Sequence, residues 1–206
     1  MQQSILIKGK PFYYEATELS LVDTMDISFN QARSILFKAK ELLESQNIKF
    51  YLIYGTLLGA IREHSFISHD YDVDIYIDDV EELKSIIPFL YSQDFKLCRV
   101  TEPRIYSFMY KGIYIDIYIK RKAPFPFNLW CYWLGGGIVP KHYINKSKKI
   151  IFLGEEFLIP ENPERLMKFF YGQSWRTPIK GDHGRNSIYI IHYYRIIKKH
   201  INRLFK

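Results

Sequence analysis

The chain's 206 residues are 48% hydrophobic and 17% aromatic, enough for one sizeable core and too apolar for a disordered protein. Its net charge of +7 favours an anionic partner such as a nucleotide, a phosphorylated glycan or a lipid headgroup surface, without choosing among them. Cys98 and Cys131 are the only cysteines and lack metal-ligand spacing, which argues against a structural zinc site and makes a reducing compartment the expected setting.

Residues 1–12 contain no apolar run of the length a secretory signal needs, and no segment reaches the roughly 20 apolar residues of a spanning helix. A soluble, cytoplasmic protein is therefore expected. The chain starts irregularly. "SFNQARSILFKAKELLESQN" (28–47) then places Ala32, Ile35, Leu36, Ala39, Leu42 and Leu43 on one helical face, with Ser28 as N-cap. "KFYLIY" (49–54) reads as a buried strand broken at Gly55-Thr56, and "LLGAIRE" as a short helix after that break. A strand over 71–77 follows, then a helix capped by Asp78 or Asp79 that Pro88 ends or kinks. "FKLCRV", "IYSFMY" and "GIYIDIYI" read as three strands, the last two joined by a tight turn at Lys111-Gly112. Gly135, Gly136 and Gly137 read as a flexible loop at a pocket mouth, or as a plain turn. "KIIFLGEEFLIP" predicts a hairpin, and "PERLMKFFYG" a helix with Pro163 in its first turn and Gly172 as its stop. The tail, 185–206, alternates Ile and Tyr with Lys and Arg as a basic amphipathic helix. The sum is an α/β (α+β) domain: a mixed sheet flanked by helices over 1–160, and a helical C-terminal part over 161–206 packed on it.

The strand at 71–77 carries an apparent contradiction. Asp72 and Asp74 stand two apart in "YDVDIYI", so both carboxylates project to one side, about 6–7 Å apart along the backbone. In an apolar setting they repel one another, and a divalent cation removes the conflict. Oxygen ligands alone select Mg²⁺ or Mn²⁺. Asp116, the single charge in the Ile/Tyr strand "IYIDIYI", supplies a third carboxylate. The competing reading places all three at a solvated sheet edge, but Tyr114 and Tyr118 are not the polar neighbours such an edge predicts. Gly55 and Thr56, where a strand gives way to a helix, offer backbone N–H groups and a hydroxyl to a phosphate; the plainer alternative is a capped helix.

These residues resemble the LicD branch of the nucleotidyltransferase-fold superfamily, which includes phosphocholine and fukutin-type ribitol-phosphate transferases. Gly55 to Arg62 reads Gly-Thr-Leu-Leu-Gly-Ala-Ile-Arg, as in that branch, and Phe66, Ile67, Asp70, Asp72, Val73 and Asp74 match the second half of its hallmark. Ser65, Ser68, His69 and Tyr71 depart from it. Further on, 159–178 resembles the branch's closing Tyr-Gly-x-x-Trp segment.

The resemblance implies a reaction. A phospho-alcohol group such as phosphocholine passes from a CDP-activated donor (CDP-choline, for example) to a hydroxyl of a cell-envelope glycan, whether lipopolysaccharide, capsule or teichoic acid, and CMP leaves. Asp72 and Asp74 would hold Mg²⁺ or Mn²⁺, with Asp116 as a further ligand or as general base. Arg62 would clamp a phosphate, or else pair with Asp70 or Glu63. Asp70 would support the site or be a solvated loop residue, and His183 would support the site, contact substrate or be structural. Tyr171, Trp175 and the Trp130 to Trp133 stretch would stack on a base or sugar, or simply fill the core. The basic tail would rest on a membrane surface or pack as a helix. Two rivals stand beside this reading: transfer of a nucleoside monophosphate from an NTP, and a non-catalytic protein binding anionic glycan or nucleotide. Nucleic acid is not an expected partner, because the sheet strands carry Tyr, Ile and Asp instead of Lys and Arg.

Overall fold

The computed structural model describes residues 1–17, 27–68, 70 and 72–178. Helix α1 (Phe29–Ser45) forms where the apolar spacing predicts it, and the six expected face residues are all buried. Its N-terminus closes as a capping box: the Gln31 backbone N–H donates to the Ser28 side chain, and the Ser28 N–H donates to the Gln31 side chain.

The central sheet has the order β3-β4-β7-β6-β5. It comprises β3 (Phe50–Leu52), β4 (Val73–Ile77), β5 (Lys96–Thr101), β6 (Ile105–Tyr110) and β7 (Ile113–Ile119). β4 and β7 run parallel and the other neighbours run antiparallel, so the sheet is mixed as expected. Alternation along β7 assigns its two faces. Ile113, Ile115, Ile117 and Ile119 form one side, packed with α1, while Tyr114, Asp116 and Tyr118 form the other. Helix α3 (Val80–Ser92) is capped by the Asp79 side chain and carries Pro88 without ending there, so of the two expected outcomes the stop is not realised. Lys111 and Gly112 both have positive φ and make the tight turn between β6 and β7.

Three smaller sheets complete the described structure. The N-terminus is not irregular: β1 (Gln2–Ile7) and β2 (Lys10–Glu15) form a hairpin that buries Ile5 and Tyr14. It docks beside β5, where the Thr17 N–H donates to the Cys98 carbonyl at 2.9 Å. β8 (Arg121–Lys122), β9 (Cys131–Leu134) and β10 (Gly137–Pro140) form a second sheet, and Gly135-Gly136 is the turn between two of its strands. Helix α4 (Lys141–Ile144) leads to the expected hairpin, β11 (Ser147–Phe152) and β12 (Glu155–Pro160), whose Phe157 packs against Phe37, Phe50 and Phe152. Helix α5 (Pro163–Tyr171) follows and packs on helix α2 (Tyr54–Arg62) and on β12. The rest of the expected C-terminal part, including His183 and the basic tail, lies outside the described residues. Among those residues, no helix is long and apolar enough to cross a membrane.

Ile117 is fully buried on the α1 side of β7, whereas Ile151 is 72% exposed. Ile117→Ala should cost about 2–5 kcal/mol of unfolding free energy and Ile151→Ala about 0.5 kcal/mol or less, compared by urea denaturation.

Candidate active site

Parallel pairing of β4 with β7 sets Asp74 directly opposite Asp116. Asp72 stands immediately before β4, and the three residues offer carboxylate oxygens that all lie within 4.8 Å of one another. Asp116 therefore shares a side with the Asp72/Asp74 pair, as the alternation requires. The setting is dry, with Asp74 only 6% and Asp116 only 2% exposed. Burial raises the Asp74 carboxyl well above its ordinary pKa, followed by the charges of Asp72, Asp70 and Asp116, while the Gly55 N–H opposes the rise.

The Gly-Thr pair explains how such crowding is held. Gly55 and Thr56 do not break the chain before a helix; they form the first turn of α2. The Gly55 N–H donates to Asp74 Oδ2 at 3.0 Å, and the Asp74 N–H donates to Thr56 Oγ1 at 2.8 Å. The Ile53 N–H also donates to the Asp74 carbonyl, at 3.3 Å. Three groups of the β3–α2 junction thus fix one aspartate. The Gly55 N–H and the Thr56 hydroxyl oxygen, expected to face a phosphate, are here engaged with Asp74, and Thr56 is fully buried. A Cβ on Gly55 would lie 2.8 Å from Asp70 Oδ2 and 3.3 Å from Asp74 Oδ2, so a larger residue here would displace the Asp70 carboxylate and crowd Asp74. One turn later, a Cβ on Gly59 would lie 2.4 Å from the Ser65 carbonyl oxygen. The second glycine of the motif thus seats the segment that leads into the aspartates.

Other expected residues fall elsewhere. Arg62 pairs with Glu63 at 2.8 Å and donates to the Trp175 carbonyl at 3.1 Å, tying α2 to the chain beyond α5. The structure thus realises the salt-bridge alternative for Arg62. The Trp175 side chain is buried, with the Arg176 guanidinium 4.4 Å from its ring centroid, which is the core role. The Asp70 carboxylate lies against Gly55 and adds its charge to the site.

Two further residues, Arg99 and Ser107, join the cluster. Arg99 Nη2 reaches both oxygens of Asp116, at 3.0 and 2.7 Å, and Arg99 Nε donates to Ser107 Oγ at 3.0 Å. The Ser107 hydroxyl in turn donates to Asp116 Oδ1. Register shows why: Asp74 faces Asp116, Asp116 faces Ser107, and Ser107 faces Arg99, forming one polar row across β4, β7, β6 and β5. Ser107 is a polar interruption in the apolar strand β6, a signal visible in the sequence, whereas Arg99 shares β5 with Lys96 and Thr101 and does not stand out. Aromatic rings border the row. Tyr54, at φ +42°, sets its ring 4.8 Å from Tyr118 and 4.9 Å from Phe170, and its hydroxyl donates to the Leu134 carbonyl at 3.1 Å. Burial and then the Asp74 charge raise the phenol pKa values of Tyr54, Tyr118 and Tyr171, keeping all three protonated beside the carboxylates.

The residues fit a hard divalent cation: three oxygen donors converge, and their mutual repulsion in a dry setting is what such an ion relieves. A family model described as LicD/FKTN/FKRP, nucleotidyltransferase domain, matches residues 47–162. The chain belongs to this family. An uncharacterised protein of Rickettsia prowazekii (strain Madrid E) is 34% identical over 97 residues, 41% of this chain and 36% of that protein. The chain thus spans little more than a third of that relative's length. The solution structure of the antibiotic-resistance factor ANT(2'')-Ia superposes with TM-score 0.55 at 10% identity, covering 86% of this chain and 98% of that one. The lincosamide antibiotic adenylyltransferase LnuA, with lincomycin bound, gives TM-score 0.48 at 13% identity over 76% and 92% of the two chains. The LicD chain described here therefore has the nucleotidyltransferase fold, and family and fold together support a transferase role.

The raised Asp74 pKa has a measurable sign. Folding favours the protonated carboxyl, so stability present at low pH is lost as pH rises from the usual carboxylate range through the raised pKa. Asp74→Asn keeps an oxygen acceptor for the Gly55 N–H and removes the charge. In EDTA at pH 8 it should melt about 2–4 °C above the native chain, and the gap should close toward pH 4. A lower melting temperature at pH 8 would contradict the crowding argument.

Proposed function

We propose that this chain is a metal-dependent transferase that moves a phospho-alcohol group from a CDP-activated donor to a glycan hydroxyl, releasing CMP. The observation that carries the proposal is the convergence of Asp72, Asp74 and Asp116 on one side of the β4–β7 pair, in a chain of the LicD/FKTN/FKRP family.

In this reading Asp72 and Asp74 hold Mg²⁺ or Mn²⁺, and Asp116 completes the set. The bound ion would neutralise charge on the donor diphosphate and on the departing CMP. Gly55, Thr56 and Ile53 fix Asp74, so that ligand is preset before substrate arrives. Arg99 and Ser107 engage Asp116, which favours a ligand role over proton abstraction, because a carboxylate already shared with a guanidinium is a weak base. Phosphoryl transfer relies chiefly on positioning and charge stabilisation, so no nucleophilic side chain is needed. Cys98 suits none: burial pushes its thiol pKa up to about 12. Tyr118 and Tyr171, kept protonated by burial and by the Asp74 charge, would serve as donors to substrate oxygens. A cytoplasmic setting, with the basic tail at a membrane surface, belongs to the same proposal.

The family's description as a nucleotidyltransferase domain favours one second reading: transfer of a nucleoside monophosphate from an NTP through the same carboxylates. Products separate the two. With Mg²⁺ and a panel of CDP-choline, CDP-ribitol, CDP-glycerol and CDP-ethanolamine, the proposal predicts CMP release. Asp72→Asn should lower it by at least about a hundredfold without unfolding the chain. Pyrophosphate release from an NTP, with no CMP from any CDP-alcohol, would establish the second reading instead.

A further inference from the structure

The contact between Arg99 and Asp116 is out of place in a preformed cation site. One of the three carboxylates is already bound by a cation, and that cation belongs to the protein. Asp116 is buried at the centre of the sheet, while the Arg99 side chain is about a third exposed at its edge. The anchored partner is therefore the carboxylate, and the guanidinium is the partner with access to solvent.

We propose that Arg99 is a phosphate-binding residue of this site that waits on Asp116, standing in for the divalent ion until donor and metal arrive together. The inference rests on the reading of Asp72, Asp74 and Asp116 as the metal site. Two observations and one general property of guanidinium support it. The cross-strand row Asp74, Asp116, Ser107, Arg99 puts the guanidinium on the same side of the sheet as the carboxylates, two strands away from Asp116. Arg99 holds its carboxylate through one terminal nitrogen, Nη2, instead of presenting a two-nitrogen fork to it, and Ser107 takes Nε. A guanidinium pairs with phosphate as well as with carboxylate, so a diphosphate brought to the carboxylates offers Arg99 a second anionic partner. The Tyr114 ring, with its centroid 5.7 Å from Arg99 Cζ, borders the side chain.

The arrangement has a physical consequence. A divalent ion and Arg99 both claim the Asp116 charge, so each weakens the other's hold. Donor phosphate relieves the competition by giving Arg99 another partner. Metal and donor then bind with positive coupling, and by linkage each raises the affinity for the other by the same factor. Free metal alone loads the site poorly, and Arg99 meanwhile offsets one of the crowded charges in the empty protein.

The test follows Mn²⁺ binding to the full chain by electron paramagnetic resonance of the free ion, with and without CDP as an unreactive diphosphate. Arg99→Met should bind Mn²⁺ alone roughly tenfold more tightly than the native chain, and CDP should raise its Mn²⁺ affinity far less than it raises the native one. Ser107→Ala, which loosens the same clamp, should shift Mn²⁺ affinity in the same direction by a smaller factor. A merely structural Arg99 predicts the reverse, since losing it would misplace Asp116 and weaken metal binding. Equal or weaker Mn²⁺ binding by Arg99→Met, or equal enhancement by CDP in both proteins, would overturn the proposal. Should Arg99→Met fail to fold, as judged by thermal melting, Ser107→Ala decides alone: tighter Mn²⁺ binding upholds the clamp and unchanged binding refutes it. A native chain that binds no Mn²⁺ under either condition would instead remove the metal-site reading itself, and this inference with it.

Discussion

Like charges are forced together in a dry place, and the surrounding elements are organised around holding them there. Parallel pairing of β4 and β7 sets Asp74 against Asp116, and Asp72 adds a third carboxylate beside them. No apolar packing argument favours that arrangement, and the raised Asp74 pKa reflects its cost. Each nearby feature can be understood as compensation. The α2 N-terminus directs the Gly55 N–H at Asp74, the Thr56 hydroxyl receives the Asp74 N–H, and Arg99 with Ser107 covers Asp116. The Ile side of β7, packed with α1, supplies the apolar burial that keeps the charged side in place.

The motif at 55–62 acquires a physical meaning from this. Its first glycine admits two carboxylates against the backbone, its threonine pins the strand that carries one of them, and its second glycine admits the Ser65 carbonyl. Its arginine ties α2 to the chain after α5 through the Trp175 carbonyl. The segment builds the carboxylate cluster, engaging the Gly55 N–H and the Thr56 hydroxyl oxygen within it. A family hallmark that resembles a phosphate loop is here a scaffold for acidic residues.

Much of this was legible in the chain itself, and particular residues show where legibility ended. The apolar positions of α1, the strand alternation of "IYIDIYI" and the three aspartates follow from period and chemistry, and so did the mixed sheet. Local spacing could not say that Arg99 meets Asp116, because that contact depends on the register of three strands. The sequence alone suggests a phosphate donor at Thr56, because α2 begins at Tyr54, ahead of the apparent break, and the Thr56 partner lies eighteen residues away. The N-terminal hairpin did leave a trace: Lys8 and Gly9, both at positive φ, form the turn in "ILIKGKPFYY", between apolar flanks. Pro88 continues α3, where tertiary packing of Leu83, Ile87 and Leu90 outweighs one missing backbone hydrogen bond.

The central claim is that the three carboxylates form one cation site. Anomalous diffraction at the manganese edge, from crystals of the full chain grown with Mn²⁺ and CDP, tests it most directly. The account predicts a peak bounded by the side chains of Asp72, Asp74 and Asp116. A fully ordered nucleotide with no peak there, or with manganese held by other residues, would contradict it.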